Sequence, residues 1–460
     1  MAINLPFDNL TEMSGHAPKR YQGMLVNIPQ TLTVSENYDY GRYGQLALSP
    51  ARLYIPTNLY PAHSTEAKAL AQQNLRSKLI LDDGYNNQNR TPWLPTTFSA
   101  KNTLRTGAQL QNVQGILEYR YNQWRIQPVL GATAPQVLDA TNPRASVPAK
   151  ATQQVRVAAF NVLNYDNGLV QGFPTERGAS SEAEFKKQHQ KIVSALKAID
   201  ADVYGLMEIA NNGYGERSAV AYLAQALGSD WKYVTPPNAD KLGTDAIAVA
   251  IIYNAKRVKP INVAAVFDDQ SQKNRVTMAQ TFQALSGGKT FTVSKPNVLL
   301  LGDLNSYAKE DPILALEQAN YKVLLNDEKI GQGKTAYSYV FGVASNTQGY
   351  GGAGNLDHAI ADAALYPLVK KAFAWHINAD EPTALDYNEE YKTEEQIVAF
   401  YADDAYRSSD HDPVIVDLDL NDAVVNDDDK TSAGSTGMWS ALGLIGLALY
   451  GSLRRRKNQS

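Results

Sequence analysis

The chain has 460 residues, more than one ordinary hydrophobic core organises, so two domains with additional segments are expected. A formal net charge of −4 provides no global basic field, which excludes recruitment of nucleic acid or anionic membranes by long-range attraction alone. The absence of cysteine excludes disulfides, thiolate zinc sites and a cysteine nucleophile, and leaves packing to hold the fold.

Residues 1–148 read as mostly β. Apolar runs at 21–28 and 113–129 alternate with polar residues and are broken by Gly, Asn and Pro. In the second run Asn122-Gln123 stands where a hairpin would turn, with Tyr119, Tyr121, Trp124 and Arg125 around it. Aromatic and Arg side chains at such a turn suit base stacking in a small oligonucleotide-binding (OB-like) barrel, and packing of an ordinary sheet accounts for them equally well. Residues 142–153, rich in Pro, Ala and Thr, read as a linker.

From 154 to about 420 the rhythm is α/β. A strand from Val155 runs into Asn161, and a helix follows with a Ser cap at 180 or 181 and Phe185, Ile192, Leu196 and Ile199 at helical spacing. A second strand ends at Glu208, and a helix over 216–227 stops at Gly228. Runs at 246–254, 276–285, 290–293, 297–304 and 413–420 supply further strands. Gly287-Gly288 predicts a hairpin between the second and third of these.

The polar residues gather at strand ends: Asn161, Glu208, Asp303 and Asn305 in GDLNS, Asp357 and His358 in GNLDHAI, Asp410 and His411 in SSDHDPV. A lone Glu at a strand end is usually a solvated rim residue, and a lone Asp-His pair usually a turn; several in one domain are hard to read as independent accidents. Carboxylate and amide oxygens suit Mg²⁺, Mn²⁺ or Ca²⁺, and a His beside Asp suits proton transfer, the two requirements of phosphodiester hydrolysis.

The two ends of the chain disagree about where the protein resides. Residues 1–13 carry no signal-peptide pattern. At the other end an acidic polar linker (421–437) precedes an uncharged run at 438–453 and then Arg454, Arg455, Arg456 and Lys457. As a helix that run spans ~24 Å against a ~30 Å hydrocarbon core. It is expected to be a transmembrane tail over 438–460 with the cations inside and the body outside, a buried core helix being the alternative. An exported body without a signal peptide implies a chain shortened at its N-terminus.

The ordered set FNV, LMEI, GDLNS, NLDH and SDHDPV, over about 155–420, resembles the endonuclease/exonuclease/phosphatase superfamily. With the β domain, the Tyr-rich loops and the tail, the chain also looks like the extracellular nucleases of marine Gram-negative bacteria. The tail is similar to sorting signals cut by a rhomboid-type protease, although Gly434 and Gly437 are separated where such signals carry adjacent glycines.

The resemblance implies a four-layered α/β sandwich, a monomeric secreted or surface-anchored nuclease, and extracellular DNA or RNA as substrate. It implies Glu208 as metal ligand with Asn161 and Asp410, Asp303 and Asn305 orienting water and phosphate, and His411 as acid/base or phosphate contact oriented by Asp357. Arg275 matches a phosphate-contacting Arg, a surface ion pair being equally good, and Asp245 matches the partner of a second catalytic His. That His, in an Asn-x-His-x-x-Ser motif after 290–293, is supplied by none of the six histidines. The chain passes instead through Lys295 and Pro296 into the next strand, which implies an internal deletion near 294, with a tight hairpin as the alternative. Two other functions stay open: an inert surface nucleic-acid binder, and a phosphatase or lipid phosphodiesterase with the same residues.

Overall fold

The computed structural model describes residues 1–129, 134–138, 141–237, 240–268, 274–286, 290–291 and 297–420. The linker and apolar tail at 421–460 and the Ser294-Lys295-Pro296 junction lie outside the described residues. Among those described, no helix is long and apolar enough to cross a membrane. The chain divides into two compact units: Met1–Ala145, Tyr337–Gly354 and His376–Asp410 form the first, and Ser146–Ala336, Asn355–Trp375 and the chain from His411 form the second. The first boundary between the units lies at 145/146, and two later segments join the first unit.

In the first unit, β1 (Leu25–Ile28), β2 (Leu32–Glu36), β3 (Leu46–Ser49), β4 (Leu79–Leu81), β5 (Gln109–Gln111), β6 (Val113–Arg120), β7 (Gln123–Gln127) and β8 (Gln136–Leu138) make one sheet in the order β1-β6-β7-β4-β3-β2-β5-β8. This is a larger sheet than the five-stranded barrel of small oligonucleotide-binding folds. Its core includes Phe7, Val26, Ile28, Leu32, Val34 and Leu48. The β6–β7 turn falls on Tyr121 and Asn122, at φ 53° and 60°, one residue before the expected pair and as a primed hairpin turn requires. A helix, Thr65–Ser77, interrupts the β pattern, its N-terminus capped by Ser64 Oγ accepting from Ala67 N.

The late segments are tied in by buried charge. Asp380 accepts from Arg52 Nη1 at 3.0 Å, Asn142 Nδ2 at 2.8 Å, Tyr337 Oη at 3.0 Å and Thr106 Oγ1. Glu381 accepts from Arg105 Nη1 at 2.6 Å and Arg144 Nη2 at 2.9 Å. Burial alone would raise the Asp380 carboxyl, but Arg52, His376 and Arg105 hold it well below the usual carboxylate range.

In the second unit, β9 (Val155–Tyr165) and β10 (Val203–Ala210) run parallel at the centre of a six-stranded sheet. Beyond β10 lie β12 (Ile247–Asn254) and β11 (Trp231–Tyr233), and beyond β9 the strands Val414–Leu418 and Val369–Ala374. The helix Glu182–Ile199, capped by Ser181, packs on β9, and the helix Ala219–Leu227 on β10. The latter begins three residues later than expected because Ser218 Oγ accepts from Ala221 N and caps it there.

Alternation along β9 places Val155, Val157 and Ala159 in an apolar core shared with β14 (Thr277–Ala284) and β16 (Leu299–Asp303). Those strands belong to two short sheets. One is β13 (Val258–Phe267), β14 and β15 (Thr290–Phe291); the other is β16, the strand Asp357–Ala361 and the strand Lys322–Val323, with the helix Asp311–Gln318 packing its Ile313 on Val323 and Ile360. The fold is thus mixed α/β. β15 pairs with β14, as the Gly-Gly hairpin predicts, whereas β15 and β16 lie in different sheets.

Candidate active site

Backbone strain collects where the strands end. β9 and β10 pair level at Asn161 and Met207, then only again at Tyr165 and Ile209. In the bulge between, Leu163, Asn164 and Glu208 adopt φ of 50°, 52° and 59°, and Asn305, just past β16, adopts 48°. Side chains other than Gly rarely take such angles, and a bulge that holds them re-aims the residues it carries. Asn161, fully buried, accepts from Leu163 N at 3.0 Å through Oδ1, and its Nδ2 has no hydrogen-bond partner among the described residues.

On the other short sheet, antiparallel pairing sets Asp303 level with Asp357 and Gly302 level with His358. His411 Nδ1 lies 2.7 Å from Asp357 Oδ2, and Asp303 Oδ1 accepts from Asn305 N at 2.8 Å. One ligand atom each from Asp303, Asp357 and His411 fits within 4.8 Å. Two carboxylates facing each other across a strand pair repel unless something positive joins them. Burial, with the Asp357 and Glu208 charges adding and His411 and the Asn305 N–H opposing, pushes the Asp303 carboxyl up to about 7. His358, the next residue along the pleat, is buried, lies 2.7 Å from Ser306 O through Nε2, and has its pKa lowered by that burial, so it is a neutral structural histidine.

Glu208 is not a member of the trio but lines the same 220 Å³ cavity as Asp303 and Arg275. The rest of that cavity is largely apolar, bounded by β14 residues such as Met278 and Phe282 and β16 residues such as Leu299 and Leu301. Arg275 Nε donates to Asp245 Oδ2 at 3.1 Å, and Arg177 Nη2 pairs with Asp245 Oδ1 at 2.9 Å. Asp245 is therefore held between two guanidinium groups, where the resemblance implied a histidine. Arg177 escaped the sequence reading because it stands in a loop with no motif around it. Asp410, half-buried, closes the first unit and is not part of the trio.

Carboxylate oxygens of Asp303 and Asp357 converge with the His411 imidazole, and burial, with the neighbouring carboxylates adding, raises the Asp303 carboxyl. That chemistry fits a hard divalent cation, which Asp303 and Glu208 would hold from the two strand ends.

No protein-family model matches the chain, and no curated protein matches it. Solved structures similar to it include an endonuclease/exonuclease/phosphatase family protein from Bacteroides thetaiotaomicron, at 15% identity over 58% of this chain and 97% of that one, TM-score 0.38. A protein of the same description from Bacteroides vulgatus matches at 16% identity over 58% of this chain and 99% of that one, TM-score 0.37. The TDP2 of D. rerio complexed with single-strand DNA product matches at 13% identity over 57% of this chain and 98% of that one, TM-score 0.34.

Proposed function

We propose that the second unit is a divalent-metal-dependent phosphodiester hydrolase, a four-layered sandwich of the endonuclease/exonuclease/phosphatase kind acting on extracellular DNA. The observation that carries this reading is the trio: Asp357 holding His411 Nδ1, with Asp303 beside them at a strand end. Bound Mg²⁺ or Mn²⁺ would neutralise charge on the phosphate.

The chain's own residues do the rest. Asp357 fixes the His411 ring and makes Nε2 the nitrogen that exchanges a proton with the phosphate or leaving oxygen. Asp303, held by the Asn305 N–H, would share the cation and orient the attacking water. Export, anchoring through 438–460 and cleavage by a rhomboid-type protease belong to the same proposal.

A second reading, a weak or inert hydrolase, is favoured by one observation: Asp245, where the resemblance implied a histidine partner, is occupied by Arg177 and Arg275. Incubation of purified protein with plasmid DNA in Mn²⁺ and in EDTA tests the proposal. Slow, metal-dependent nicking that is lost in Glu208→Gln supports it; nicking that is equal in EDTA overturns it.

A further inference from the structure

A cavity of 540 Å³ in the first unit lies against the β6–β7 hairpin, and no residue of the trio lines it. One wall is Tyr119 and Trp124, cross-strand partners whose ring centroids are 5.1 Å apart at 53°. Trp124 is core, at 7% exposure, but Tyr119 is 49% exposed and Tyr121, at the tip, 69%. The tyrosines are therefore not consumed in packing the sheet. The Arg120 guanidinium lies 5.5 Å from the Tyr121 ring, so the exposed aromatic surface carries positive charge.

The lining also includes the aliphatic side chains of Leu10, Leu75 and Ile80, so a planar ring seated on Tyr119 would be bounded in part by apolar surface. Around it, Gln22 and Asn122 offer amide donors and acceptors of the kind that reads a base edge. The lining holds two lysines, Lys19 and Lys78, and no carboxylate, in a chain whose net charge is −4. Lys78 is fixed by donating to Val343 O and Asn346 O, each at 2.8 Å, while Lys19 is exposed and available to an anion.

We infer that this cavity binds one nucleotide unit of a single-stranded nucleic acid, its base stacked on Tyr119 and its phosphate at Lys19, with the neighbouring base on Tyr121. An uncharged apolar peptide would leave the exposed Lys19 without a counter-charge, and an inorganic anion would leave the aromatic wall without a role. The site does not depend on the catalytic reading of the second unit.

The test is fluorescence anisotropy of a 5′-labelled ten-nucleotide oligothymidylate with the full chain, in EDTA to suppress hydrolysis. Tyr119→Ala is expected to weaken binding ~5- to 100-fold, the loss of one stacked base, with Tyr119→Phe binding as the parent does. Lys19→Ala, an exposed position that cannot disturb the core, is expected to reduce the slope of log K against log salt by ~0.7. The same effects are expected in an Asp303→Asn background, which separates this site from the trio. No binding by the parent chain overturns the inference, as does unchanged affinity in Tyr119→Ala with a native melting profile, or an unaltered salt slope in Lys19→Ala.

Discussion

Replacing Asp303 by Asn removes a carboxyl that the metal-free fold holds up to about 7, against 3.8 in an unstructured chain. The difference, 7 − 3.8, is about three units, and at ~1.36 kcal/mol per unit its ceiling is ~4 kcal/mol. Asp303 is half-buried, so solvent screening reduces the expected effect to ~1–2 kcal/mol. The sign follows from linkage: a carboxyl whose folded pKa is raised contributes stability that is full below pH 3.8 and lost as pH rises through about 7. The metal-free parent should therefore lose stability from about pH 4 to about pH 7 relative to Asp303→Asn, so that on going from pH 4 to pH 8 the variant gains and melts a few degrees higher at pH 8 in EDTA. Saturating Mn²⁺ should reverse the order by stabilising only the parent. Thermal unfolding at both pH values, with and without Mn²⁺, decides the matter. A variant less stable than the parent at pH 8 in EDTA would refute the reasoning.

Glu208→Gly should abolish metal-stimulated hydrolysis and leave stability unchanged or raised by up to ~1 kcal/mol, because φ 59° suits Gly; activity and melting temperature measured on one preparation check it. Asp380→Ala removes the carboxylate partner of Arg52, while Arg105 keeps Glu381, and should destabilise the first unit by ~3–5 kcal/mol, read as a lowered urea midpoint. Inserting a strand–helix crossover from a complete relative between Ser294 and Lys295 should raise the DNA cleavage rate by ~10² or more; a parent that already cleaves as fast as the relative would contradict the deletion reading. Given an export signal, the full chain should fractionate with membranes and a chain ending at Asp429 should be released; equal release of both would count against the tail.

Local features of the second unit were legible because short-range rules govern them. Ser181 caps the helix that carries Phe185, Ile192 and Leu196, and Gly228 ends the next one, as the sequence periodicity predicts. GDLNS and SDHD stand at the end of a strand and the approach to one, and the structure sets Asp303 beside His411. The helix Thr65–Ser77 was hidden because its buried face is Ala67, Ala71 and Asn74 rather than a stripe of large apolar residues. The transfer of 376–410 to the first unit was illegible for a different reason. It rests on Asp380 and Glu381 meeting arginines more than two hundred residues away, and no periodicity records such a pairing. The Arg177–Asp245–Arg275 arrangement is likewise a meeting of three loop and strand-end residues without a shared motif.

The most direct measurement of the central claim is the Mn²⁺-dependent relaxation rate of supercoiled plasmid by the parent chain and by His411→Ala, alongside Mn²⁺ affinity by calorimetry. With His411 positioned by Asp357 as the proton-exchanging group, the rate should fall ~10²- to 10⁴-fold while Mn²⁺ affinity changes less than ~10-fold, since Glu208 and Asp303 remain. Equal rates in the two proteins, or a parent rate that is the same in EDTA, would contradict the account.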